Sequence, residues 1–227
     1  MKPENVNTFI FDLDDTLYEE MQYVRAGMKS VSKFLSKKYG IDCNKLYDSS
    51  MEILERDGRG KVFDKLCESF KLKEDIKTLV DKYRETEPEL TLYSDAEEFL
   101  SLLKETGCKL GIITDGNARV QEAKVKGLNL DKWVDAVILT DRLKDKEGNS
   151  FSKPQTEVYE ECLKLLGSKA SESVYIGDNP NKDFIGAKKL GLKTVRIIRE
   201  TGMFVNSVMP KEYEAEMTIH SFEELMS

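Results

Sequence analysis

The feature that most restricts the fold is an alternation of short, β-rich apolar runs with amphipathic stretches, which fills the chain from Pro88 onward. Lys109–Thr114 (KLGIIT), Val134–Leu139, Ser173–Gly177 (SVYIG) and Lys193–Ile198 read as strands, and Met217–Ile219 as a shorter one. Helices separate them. Ser94 followed by Glu97 has the form of a capping box opening a helix to about Thr106, with Gly107 just past its end. The next helix runs to Gly127, Pro154 fits the first turn of one ending at Gly167, another ends at Gly191, and Ser221 onward begins the last. Strands joined through helices run parallel and are covered on both faces. With right-handed crossovers the expected fold is α/β: a doubly wound, Rossmann-like parallel sheet. An earlier run, Val6–Phe11 (VNTFIF), reads as a further buried strand and ends abruptly in acids.

Between that strand and Pro88 the rhythm is different. From about Glu19 to Glu87 apolar residues recur every three or four positions, as in Val24, Met28, Val31, Phe34 and Leu35. Gly40, Asp57-Gly58 and Gly60 mark breaks. Three or four helices are expected, forming an all-helical domain inserted after the first strand. The expected division is a core of residues 1–17 and 91–227 and an insert of residues 18–90. A chain of 227 residues suits a core with an insertion of this size.

Composition narrows the function. A net charge of −7, with Lys and Arg dispersed, argues against a nucleic-acid polymer as partner but leaves room for a small anion. No apolar run is long enough to span a bilayer, and MKPENVNTF lacks the apolar stretch of a signal peptide, so no membrane partner and a cytoplasmic place are expected. Cys43, Cys67, Cys108 and Cys162 form no CxxC pair and are expected to be buried free thiols. His220 is the single histidine, which argues against a His-rich zinc site and a Ser-His-Asp hydrolase. Acid–base chemistry is left to carboxylates. The charged loop Asp141–Ser152 reads as a surface excursion.

In an open parallel sheet, ligands bind beyond the carboxyl ends of the strands. The residues there are Asp12-Leu13-Asp14-Asp15-Thr16, then Thr114-Asp115-Gly116-Asn117, then Lys153, then Gly177-Asp178-Asn179-Pro180-Asn181-Lys182-Asp183. Each piece alone is an ordinary cap, turn or surface residue. Their joint order and strand context fit one site.

These segments resemble the four motifs of the haloacid dehalogenase-like hydrolase superfamily, and the resemblance covers nearly the whole chain. It implies that Asp12 is a nucleophile and Asp14 the general acid/base. Thr114 then matches the phosphate-binding hydroxyl, Lys153 the third-motif lysine, and Asp178 and Asp183 the acids of the fourth motif. Mg²⁺ is the implied cofactor, since it prefers oxygen ligands. Its ligands would come from Asp12, the backbone carbonyl of Asp14 and Asp178, with Asp183 as ligand or support. Lys153, Thr114 and the amides near Asp115 and Gly116 would hold phosphate oxygens. The family's dehalogenases and transport ATPases lack an acid two positions after the nucleophile, so Asp14 favours phosphatases and phosphomutases. The implied activity is a phosphatase for a small phosphorylated metabolite, as monomer or homodimer, with a sugar phosphomutase and a non-catalytic binding protein of the same fold as alternatives. A phospho-accepting receiver domain also uses aspartates and a lysine, but neither the helical insert nor Asp14 suits it.

The insert resembles the family's cap, a lid over the active site. Tyr23, Arg25, Arg56 and Arg59 are its candidate substrate contacts, although each taken singly reads first as a solvated helix-face residue. Thr114-Asp115-Gly116 followed by Gln121, with Lys153-Pro154 and Gly177-Asp178, is similar to the nucleotidase and N-acylneuraminate-9-phosphatase branch. That branch implies a nucleoside monophosphate or a sugar-acid phosphate; other capped relatives act on phosphoglycolate or hexose phosphates.

Overall fold

A computed structural model describes residues 6–226 of the chain. Two compact units are present: one formed by the residues up to Glu20 and from Glu89 onward, the other by Met21–Pro88. Among the described residues no helix is long and apolar enough to cross a membrane.

The Met21–Pro88 unit contains α1 (Met21–Tyr39), α2 (Cys43–Asp57), α3 (Val62–Ser69) and α4 (Ile76–Arg84). Val24, Met28, Val31 and Leu35 line one face of α1 and pack with Leu46 and Ile53 of α2, Leu66 of α3 and Leu79 of α4. Asp42 and Asp75 cap α2 and α4 by accepting hydrogen bonds from the Lys45 and Thr78 amides. Tyr23 is buried here and its hydroxyl lies 3.4 Å from the Tyr83 carbonyl.

The other unit is a six-stranded sheet of β1 (Thr8–Phe11), β2 (Lys109–Thr114), β3 (Ala136–Leu139), β4 (Ser173–Gly177), β5 (Lys193–Ile197) and β6 (Met217–Ile219). The strand order is β3-β2-β1-β4-β5-β6 and every neighbouring pair is parallel. Helices α5 (Ser94–Glu105), α6 (Ala118–Gly127), α7 (Thr156–Leu166), α8 (Ile185–Leu190) and α9 (Glu223–Met226) complete it. Side chains alternate across a strand, and β1 shows the result. Phe9 and Phe11 meet Phe99 of α5 edge-on at 5.7 and 6.3 Å, and Phe99 stacks on Phe222. Ile10, between them, joins Val158, Tyr159 and Cys162 of α7 and Ala187 of α8. Both faces are therefore covered, and β1 is buried throughout.

Three local expectations are corrected. Ser94 is the first helical residue of α5, the cap position is Tyr93, and no capping box forms. The adjacent Asp95 carboxylate instead accepts from Arg199, Ser221 and the Phe222 amide. Pro154 lies outside α7, whose cap is Gln155, and occupies the turn after Lys153 through a cis peptide bond. The four cysteines are free, but Cys43 and Cys108 are only partly buried. The Asp141–Ser152 stretch is more ordered than a plain loop. It bridges Lys144 to Ser150, and the Asp145 carboxylate accepts from Asn149.

Gly186, in the first turn of α8, lets that helix approach the Lys153-Pro154 turn. A Cβ there would lie 2.1 Å from the Pro154 carbonyl oxygen and 2.8 Å from the Tyr159 ring. Because the close atom is a backbone carbonyl oxygen, the overpacking cost falls in the upper part of about 1–3 kcal/mol. That exceeds the gain of about 1 kcal/mol in helix propensity, so Gly186→Ala is expected to destabilise the protein by about 1–2 kcal/mol net. Urea unfolding checks this, and equal or greater stability in the variant would contradict the contact.

Candidate active site

The parallel register sets the site. Phe11 stands opposite Ile112 of β2 and Ile176 of β4, so Asp12, Thr114 and Asp178 emerge at one edge of the sheet. The Asp12 amide donates to the Ile176 carbonyl at 2.8 Å, carrying the pairing one residue past the strand. Asp12, Thr114, Lys153, Asp178 and Asp183 are all buried.

Lys153 is the common partner. Its ammonium donates to Asp12 Oδ1 at 2.5 Å and to the Tyr175 hydroxyl at 3.0 Å, and lies 2.8 Å from Asp183 Oδ1. The last contact has ion-pair distance but not hydrogen-bond geometry, so buried Asp183 Oδ1 receives no hydrogen bond. The other oxygen, Oδ2, accepts from the Asn179 amide at 2.9 Å. Gly177 makes this possible: a Cβ at that position would lie 2.4 Å from Asp183 Oδ2.

Carboxylate oxygens of Asp12, Asp178 and Asp183 lie within 4.8 Å of one another. Burial pushes the Asp12 carboxyl up to about 6 despite Lys153, with Asp183 adding to the rise. Burial and the neighbouring charges of Asp12 and Asp183 push Asp178 up to about 9. Burial opposes the charge on Lys153, but Asp12 and Asp183 outweigh it and hold the ammonium well above its ordinary value. Three buried carboxylates against one ammonium, with an oxygen that has no donor, are the chemistry of a hard-cation site. The residues present fit a divalent metal.

Asp14 points elsewhere. Its carboxylate accepts from the Tyr18 hydroxyl at 2.7 Å, from Gln121 Nε2 at 3.0 Å, and from Lys124 Nζ at 2.7 and 2.8 Å. Burial raises its pKa, but Lys124 and these hydrogen bonds prevail and hold it below the ordinary carboxylate range. The Asp14 carboxylate is thus not grouped with the three acids, in keeping with its expected part as acid/base, and the metal ligand expected from this residue is its backbone carbonyl.

Asp115 ties the loops together. Its carboxylate accepts from Thr140 Oγ1 at 2.9 Å, the Lys153 amide at 3.2 Å and Lys182 Nζ at 2.9 Å. Gly116 follows at φ 116°, and Asn117 caps α6 by accepting from the Val120 amide. Thr114 Oγ1 contacts Gln121 Nε2 at 2.6 Å.

Tyr18, Lys124 and Tyr175 escaped the sequence reading, and Lys182 fell within its fourth segment without a role of its own. Gln121 and Lys124 fall three apart on one face of α6, but a lysine beside Lys126 in a charged helix reads as solvated. Arg56, a candidate substrate contact, is exposed and pairs with Asp57.

Residues 9–197 match the model of the family described as haloacid dehalogenase-like hydrolase. The chain belongs to that family. A glyceraldehyde 3-phosphate phosphatase from Methanocaldococcus jannaschii is 32% identical over 97% of this chain and 96% of its own. An (S)-2-haloacid dehalogenase 4A from Burkholderia cepacia is 33% identical, over 62% of this chain and 55% of that protein. Among solved structures, a HAD phosphatase from Thermococcus onnurineus aligns with a TM-score of 0.59 at 26% identity, covering 97% of this chain and 96% of that one. The family and the parallel sheet agree with the fold expected from the sequence.

The raised acids predict a pH dependence. Between the ordinary carboxylate value of 3.8 and their folded values of about 6 and about 9, Asp12 and Asp178 hold protons that the unfolded chain has released. The folded state binds more protons there, so stability falls as pH rises. Asp14, Asp95 and Asp115 have lowered values, and their stabilising contribution is complete above the ordinary carboxylate range. The melting temperature of the metal-free protein should therefore fall from about pH 5 to about pH 9, and less so with divalent metal bound. A profile that rises across this range would contradict the charge arrangement.

Proposed function

We propose that the chain is a Mg²⁺-dependent phosphatase that hydrolyses a small phosphomonoester through a phosphoryl group carried on Asp12. The observation that carries this reading is the buried Asp12–Lys153 ion pair at the carboxyl edge of the sheet, with Asp178 and Asp183 beside it and Asp14 two residues on. The relative named glyceraldehyde 3-phosphate phosphatase, aligned over nearly its whole length, supports a phosphate ester and favours a small sugar phosphate as substrate.

Asp12 and Asp178 would hold the metal, with Asp183 as ligand or support. Mg²⁺, when bound, supplies positive charge that lets a carboxylate approach an anionic phosphoryl group. The rest belongs to the chain's own residues. Lys153 holds one oxygen of Asp12, leaving the other to attack phosphorus in line with the ester oxygen. Thr114 and the amides of the Asp115-Gly116 turn hold phosphoryl oxygens. As the ester P–O bond breaks, its electron pair stays on the leaving oxygen, which takes a proton from Asp14. The negative charge of an arriving phosphate ester works against Lys124 and raises the proton affinity of Asp14, readying it for that role. Asp14 then takes a proton from water as the water oxygen attacks phosphorus and the bond to Asp12 breaks, releasing phosphate.

Asp14 also separates this reading from that of the dehalogenase relative, since displacement of a halide at carbon needs no protonated leaving group. A panel of triose phosphates, sugar-acid phosphates and nucleoside monophosphates would rank the substrate classes, and isomerised sugar phosphate without phosphate release would indicate a mutase instead.

Asp12→Asn should lower turnover by about 10³-fold or more while the protein remains folded. Near-normal turnover would remove Asp12 from its role. Excess EDTA should stop hydrolysis, and added Mg²⁺ should restore it; full activity in the chelator would defeat the metal assignment.

A further inference from the structure

Helix α6 carries two buried polar side chains, Gln121 and Lys124, at 2% and 4% exposure. Three residues apart, they share one face. A lysine this deeply buried requires a counter-charge. Its ammonium reaches both oxygens of Asp14, at 2.7 and 2.8 Å. Gln121 Nε2 reaches Asp14 Oδ2 at 3.0 Å and also lies 2.6 Å from the Asp115 carbonyl oxygen. Both neighbours are acceptors, which fixes the amide with its nitrogen towards Asp14. The Tyr18 hydroxyl bonds Asp14 Oδ1 from a third side. The helix bearing these donors starts just past the Thr114-Asp115-Gly116 turn, so the acid and the proposed phosphate-binding turn are held by one rigid element.

We propose that Lys124 and Gln121 are positioning residues that fix the Asp14 carboxyl group for proton transfer to the leaving oxygen. The inference rests on the phosphatase reading and goes beyond it, since both side chains are assigned to act through the Asp14 carboxyl group and neither transfers a proton nor forms or breaks a bond. When the ester P–O bond breaks, the leaving oxygen keeps the electron pair and gains the Asp14 proton, and Asp14 becomes a carboxylate. The donors from Lys124, Gln121 and Tyr18 match that carboxylate product. They therefore gain strength as the proton departs, which assists the transition state more than the ground state. They also hold the group in one place, and a displacement of about 1 Å can cost about 100-fold in rate.

The consequence is a dependence on the leaving group. An alkoxide needs the proton as it leaves, whereas p-nitrophenolate is stable as an anion. The test uses the full-length, Mg²⁺-loaded enzyme and follows alcohol release from glycerol 3-phosphate and p-nitrophenolate release from p-nitrophenyl phosphate in the first turnover. Lys124→Met should slow alcohol release by about 100-fold and p-nitrophenolate release by less than about threefold, with KM little changed for either. Lys124→Arg should recover much of the loss. Gln121→Leu should show the same asymmetry at about 10-fold, and it carries the test if Lys124→Met fails to fold. Equal losses on both esters in folded variants would overturn the positioning role and leave the phosphatase reading intact. A wild-type enzyme that hydrolyses neither these esters nor a broader phosphate panel would overturn both.

Discussion

The ammonium of Lys153 sits where a cation is expensive to place, in a fully buried pocket at the carboxyl end of β4. It stays charged because Asp12 and Asp183 lie within 2.8 Å of it. Those acids are costly to bury as well, and a third, Asp178, is held in its protonated form beside them because one lysine does not balance three carboxylates. A buried ion pair is weak evidence for stability, because desolvation can exceed the attraction. The cluster makes physical sense as a site left short of positive charge, which a metal ion would complete. The placement of β1, the glycine before Asp178 and the turn before α7 all serve to bring these groups together.

The sheet supplies rigidity that loops alone would not. β1 lies between β2 and β4, so three strand ends open at the same level beside one another. Loops then fill in what the strands cannot reach, and the Asp115 carboxylate links four of them through Thr140, Lys182 and the Lys153 amide. Close approach is secured by absent side chains, at Gly177 against Asp183 and at Gly186 against Pro154. A second anchor holds the other end of the acidic loop. Arg199 donates to the Thr16 carbonyl while pairing with Asp95, and the Asp15 carboxylate accepts from the Glu20 and Met203 amides. The acids after β1 are therefore fixed from both sides.

Much of this was legible in the sequence because it follows from local periodicity. A β-rich run such as KLGIIT has few other readings, and a parallel sheet fixes which end of each strand carries ligands. What escaped depends on partners distant in the chain. Ser94 and Glu97 looked like a helix cap, but it is Asp95 between them that is recruited by Arg199, more than a hundred positions later. Lys124 has nothing in the sequence to set it apart from the other lysines of its helix and is buried, because Asp14 stands opposite it. Tyr175 read as a strand aromatic, and its hydroxyl faces Lys153. Pairings of this kind have no signature in spacing. Tyr23 was ambiguous for a related reason, since one helical stripe serves equally for packing and for contact.

The claim on which everything turns is that phosphorus becomes bonded to Asp12. The most direct measurement is acid quenching of the enzyme during turnover of a phosphate ester, then borohydride reduction and peptide mass analysis. Reduction of an aspartyl-phosphate converts that residue to homoserine. The account predicts homoserine at position 12 and at no other aspartate, dependent on both substrate and Mg²⁺. Modification at another carboxylate, or phosphate release with no modified peptide at any quench time, would contradict it.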